Sequence, residues 1–107
     1  MDEAEKIKAI ADHYGYDAQS RQCIEEMAEL TQAINKFWRA CGNGQNTEKS
    51  SQECMDNLVE EMADVQIMLW QMEYLLISAP EVNQMITQKL DRQLERIDIE
   101  KIELDYN

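Results

Sequence analysis

Apolar residues recur along this chain three and four positions apart, the spacing that keeps one face of a helix dry. Ile7, Ile10 and Ala11 form the first such stripe and predict a helix from about Asp2 to His13. "YGYD" interrupts it, and Gly15 suits a left-handed helix end. A second stripe runs through Cys23/Ile24, Met27, Leu30/Thr31, Ile34 and Phe37/Trp38. It predicts a helix capped by Asp17 or Ser20, continuing to about Ala40 and closed by Gly42. "GNGQNTEK" is the one clearly polar, glycine-containing loop. Ser50 and Glu53 then have the spacing of a capping box, opening a third helix from about Ser51 to Ile77. Its first half is one-sided, with Leu58, Met62 and Val65. Its second half, "VQIMLWQMEYLLI", is apolar almost all round, as expected of a helix covered on several sides, by a subunit interface as well as a core. Ser78, Pro80 and Glu81 signal a fourth start. The fourth stripe, Val82, Met85/Ile86, Leu90, Leu94 and Ile97, carries a helix to about Ile102, with "ELDYN" expected to fray.

Composition reinforces the pattern. The chain has 107 residues, with 3 glycines, 1 proline and 44% apolar residues. That length suits one domain spanning residues 1–107, burying roughly 60–70% of its unfolded surface. Good helix formers dominate, so the expected fold is all-α. Three cysteines without a C-x-x-C pair do not read as a disulfide scaffold. The N-terminus, "MDEAEKIKAI", is acidic rather than signal-like, and the apolar stretch Val65 to Ile77 is too short to span a membrane. A reduced, cytoplasmic protein without membrane partners is expected.

Charge changes the picture most. The formal net charge is −12, which repels nucleic-acid polymers and anionic lipid. If the protein handles phosphates, a cation must stand between. Two near-identical acidic hexapeptides, "EEMAEL" from Glu25 and "EEMADV" from Glu60, sharpen that point. Glu25, Glu26 and Glu29 lie near one helix face, and Glu60, Glu61 and Asp64 repeat the arrangement. Like charges so spaced destabilise a helix. Basic residues do little to offset them: only Arg21 lies between Lys8 and Lys36, and none occurs from Ser50 to Thr87. Both clusters border a core stripe, so antiparallel helices can bring them together. Crowded carboxylates are relieved by raised pKa values or by divalent cations. Oxygen ligands without histidine or thiolate favour Mg²⁺ or Mn²⁺. A di-iron bundle would want Glu-x-x-His pairs, and the lone histidine, His13, lies in neither hexapeptide. A solenoid would need at least about three copies of the repeat. A plain solvated acidic face remains the alternative for each hexapeptide taken alone.

"EEMAEL…EEMADV" resembles the paired Glu-x-x-Glu and Glu-x-x-Asp signature of the MazG-like, all-α nucleoside triphosphate pyrophosphohydrolases, which include dimeric dUTPases and dCTP pyrophosphatases. The resemblance covers roughly Ser20 to Ile97. It implies a four-helix MazG-like bundle assembling as a dimer or tetramer. It implies Mg²⁺ held by Glu26, Glu29, Glu61 and Asp64, with Glu25 and Glu60 supporting those ligands or acting as bases beside Glu61. "KLDRQLER" is similar to the family's basic element on the last helix and offers Lys89, Arg92 and Arg96 to the triphosphate. Lys36 lies on the same helix as Glu29 and can also reach a phosphate. Trp38, Phe37 or Tyr74 can stack on a base, and Asn35 or Asn57 can hydrogen-bond one. The gap between Glu29 and Glu61 is long for the family, and the loop can absorb the excess. The implied reaction splits a nucleoside triphosphate between its α- and β-phosphates, giving a monophosphate and pyrophosphate, with the cation acidifying the attacking water. The reading from a different class is a non-catalytic acidic helical adaptor that dimerises through "VQIMLWQMEYLLI".

Overall fold

A computed structural model describes residues 1–43 and 50–106. Three helices account for nearly all of them: α1 (Glu3–Ala40), α2 (Ser51–Leu75) and α3 (Ala79–Tyr106). The all-α expectation holds. The expected count of four does not: the first two predicted helices join into α1, which passes through a single residue with non-helical dihedrals, Gly15 (φ 83°, ψ 170°). Only glycine adopts that conformation without strain. The sequence therefore marks the right place for a break, and the chain makes a sharp kink there. The polar loop predicted at "GNGQNTEK" falls mostly in residues 44–49, outside those described.

The caps follow the local chemistry. Asp2 accepts a hydrogen bond from the Glu5 amide at 2.8 Å, and Ser50 accepts one from the Glu53 amide at 3.1 Å. Each satisfies an amide that a helix start leaves orphaned. Gly42, at φ 94°, turns the chain out of α1 as a C-terminal glycine does.

The chain divides into two compact units, Met1–Leu76 and Ile77–Asn107. In the first, Gly15 separates an N-terminal arm (residues 3–14) from the body of α1 (residues 16–40). The body runs antiparallel to α2. Gln19 meets Gln71, while further along the body Glu26 and Glu29 meet Glu61, so numbers rise on one helix as they fall on the other. A straight α1 would carry Ile7 about 18 Å beyond Gln19, past this contact. Instead Ile7 and Ile10 line a groove with Met62, Ala63, Ile67 and Trp70. The kink brings the arm back onto α2.

The core is small. Its buried apolar residues are Ala11, Cys23, Ala33, Cys54, Val65 and Met68. Alanine and cysteine at the seam let two helix axes approach closely, at the cost of little apolar area removed from water. Gln19, Ser20 and Gln71 are buried with them. The three cysteines are free. Many large apolar side chains stay exposed, among them Ile24, Ile34, Ile67, Leu69 and Trp70. On the all-round apolar half of α2, Val65 and Met68 are buried while Ile67, Leu69 and Trp70 are exposed.

The second unit holds α3. The Val82 amide donates to the Ser78 carbonyl at 2.9 Å as the helix begins, with Pro80 in its first turn. Met85, Ile86, Leu90 and Leu94 keep the predicted spacing and are exposed. The helix continues to Tyr106, so Glu103 to Tyr106 of "ELDYN" extend it where fraying was expected, and Asn107 lies outside the described residues. Among the described residues no helix is long and apolar enough to cross a membrane.

Candidate carboxylate site

Glu26 and Glu29 are one helical turn apart on the body of α1. Glu61 approaches them from α2. One carboxylate oxygen from each lies within 4.8 Å of the other two. The register that permits this is fixed seven residues away, where the Gln19 side-chain amide donates to Gln71 Oε1 at 2.7 Å.

The three acids are unequally provided for. Gln22 Nε2 donates to Glu26 Oε1 at 2.8 Å, one turn away on the same helix. Glu26 Oε2 and Glu61 Oε2 are buried and have no hydrogen-bond partner among the described residues. Unpartnered buried oxygens are costly, more so when charged. The Glu61 carboxyl is accordingly pushed above its ordinary value of 4.5. Desolvation is the largest cause, followed by the charges of Glu29, Asp64 and Glu26 and by side-chain hydrogen bonding with Glu29. Every neighbour acting on it is an acid. Such a cluster is eased either by taking up a proton or by receiving a cation. Its donors are all hard carboxylate oxygens, two of them unpartnered, which fits Mg²⁺ or Mn²⁺ better than a softer metal.

The remaining predicted residues fall into three groups. Asp64, one turn beyond Glu61, is exposed; its charge reaches Glu61, but its oxygens are not within the converging set of three. Glu25 and Glu60 are exposed and also outside that set. Glu60 instead borders a shallow acidic hollow with Glu53, Asp56 and Asn57. Lys36 and Trp38 are exposed on α1, about 10 Å and 14 Å along the axis from Glu29 at 1.5 Å per residue. Lys89, Arg92 and Arg96 are exposed on α3, in the second unit. Tyr74 is committed elsewhere: its hydroxyl lies 2.9 Å from both carboxylate oxygens of Asp12.

Sequence reasoning missed Gln22, Gln19 and Gln71. The spacing of four between Gln22 and Glu26 was a readable signal for a helical hydrogen bond. Gln71 was readable too, as one of two amides inside the most apolar stretch of the chain. Its partner, Gln19, lies 52 positions away and carries no local signal.

No family model matches the chain, and neither the curated proteins nor the solved structures include one significantly similar to it.

Proposed function

We propose that this chain is a Mg²⁺-dependent nucleoside triphosphate pyrophosphohydrolase of the MazG-like kind. It would release a nucleoside monophosphate and pyrophosphate, serving to cleanse the cytoplasmic nucleotide pool. The observation that carries the reading is the convergence of Glu26, Glu29 and Glu61 with two buried, unpartnered oxygens. A protein under selection only to fold gains nothing from that arrangement.

In this reading Glu26, Glu29 and Glu61 hold the cation, with Asp64 completing the set from α2. Mn²⁺ would serve in place of Mg²⁺. When bound, the ion offsets phosphate charge and makes water a better nucleophile at neutral pH. Glu25 and Glu60 orient the attacking water and take its proton, aided by Glu61. Lys36, Lys89 and Arg92 receive the phosphate tail, and Trp38 stacks on the base. Gln22 orients Glu26. The acidic chain thereby binds an anionic substrate without a glycine-rich phosphate loop.

The working unit would be a homo-oligomer, a dimer or tetramer. The exposed Ile67, Leu69 and Trp70 on α2 support this, since one chain leaves them in water. The same exposure favours the second reading, a non-catalytic helical adaptor. A panel of nucleoside triphosphates assayed for pyrophosphate with Mg²⁺ and Mn²⁺ separates the two. Release from at least one substrate, stopped by chelation, is expected; no release across the panel, with no Mg²⁺-dependent melting shift beyond ionic-strength controls, leaves the adaptor.

A further inference from the structure

We propose that residues 3–14 form a releasable strap on α2, hinged at Gly15 and latched by the Tyr74 hydroxyl on Asp12. The hinge is conformational. A side chain at Gly15 would meet nothing within 4 Å, so space does not demand glycine there; the positive φ does. It is also the one residue with non-helical dihedrals inside the 38 residues of α1.

The strap is held by few contacts. Tyr74 reaches both oxygens of Asp12 at 2.9 Å across 62 positions of sequence. Lys8 Nζ stands 5.9 Å from the centre of the Tyr74 ring, within range of a cation–π attraction. Ala11 is the arm's one buried residue, at 0% exposure, and it is small. Beside it, Ile7 and Ile10 border an open groove of about 590 Å³ that Ile67 and Trp70 also line. Segments with few buried apolar contacts open at lower free energy than the core does.

Opening would leave the rest of the unit intact. The Gln19–Gln71 bond and the carboxylate cluster are made by α2 and the body of α1, and neither uses a residue of the arm. Release would bare more of the Ile67 and Trp70 face of α2, already partly exposed, without unpairing the two long helices. The strap is therefore a conformational element separate from the acidic site, and it stands whether or not the chain is an enzyme.

Amide hydrogen exchange on the full chain tests this, comparing wild type with Tyr74→Phe and Gly15→Ala. Tyr74→Phe keeps the ring and removes only the latch. Its amides over 9–14 are expected to exchange at least about threefold faster, the effect of one lost hydrogen bond, while those over 20–35 are unchanged. Gly15→Ala strains the hinge and should loosen the same segment selectively. Equal acceleration of arm and body, or no change in the arm in either variant, would overturn the strap.

Discussion

Two polar layers cross the same pair of helices, and they are resolved in opposite ways. At Gln19 and Gln71 two neutral amides meet at 2.7 Å, and the second amide turns its nitrogen toward Met68 Sδ at 3.7 Å. That layer is completed within the chain; Gln71 is buried to 2% exposure. About two turns away, three acids meet with two oxygens unpartnered and no neutralising neighbour acting on Glu61. A buried polar layer must be completed by something. The glutamines bring their own partner, whereas the half-buried Glu26 and Glu61 and the exposed Glu29 bring only like charges to one another. The difference separates a layer closed by its own hydrogen bond from one that gathers like charges.

The comparison can be broken most sharply by activity. Glu61→Gln removes a charge from the cluster while keeping its shape, and pyrophosphate release is expected to fall by about 100-fold or more. Asp64→Asn, outside the converging oxygens, should cost less. Equal losses, with the helical fold kept, would show that the set of three is not the functional unit.

The glutamine layer should answer to stability instead. Gln19→Ala strands the Gln71 amide in the interface, at about 1–3 kcal/mol. The melting temperature should drop by several degrees. The double replacement Gln19→Met, Gln71→Met keeps volume and removes both polar groups, so it should melt close to wild type. A double variant as unstable as the single one would mean that volume, not hydrogen bonding, holds this layer.

The smallest effect is the pH dependence of the metal-free protein. Glu61 has a raised pKa in the folded state, so the folded state binds more protons than the unfolded chain between the two values. Its contribution to stability is fully present below about 4.5, the ordinary value, and is lost as pH rises through the folded value. Melting in chelator from pH 4 to 7 should therefore fall more steeply for wild type than for Glu61→Gln. Added Mg²⁺ should flatten the wild-type slope, because a cation rewards the charged form. Identical slopes for the two proteins would mean that the acids are solvated as ordinary surface groups.

Much of this was legible in the residues. The stripes at three-to-four spacing located the helical segments, and Gly15 marked the break, because those signals are local. The hexapeptides were legible as acids bordering a core stripe without basic partners. What escaped was the pairing: that Gln19 answers Gln71, that Gln22 takes one oxygen of Glu26, and that Asp64 stands outside the set that Glu26, Glu29 and Glu61 form. A spacing of three equally offers Glu26 with Glu29 and Glu61 with Asp64; only the rotation of each helix about its axis chooses among them.

By itself, the sequence determined that the chain is helical, where its helices start and bend, and that acids would crowd the helix faces. Those outcomes follow from backbone propensity, capping and periodicity, which act over a few residues. Tertiary structure alone decided the fold-back of the arm at Gly15 and the meeting of Glu26, Glu29 and Glu61. Both depend on contacts between residues dozens of positions apart, whose energies are set by burial and register rather than by neighbours in the chain.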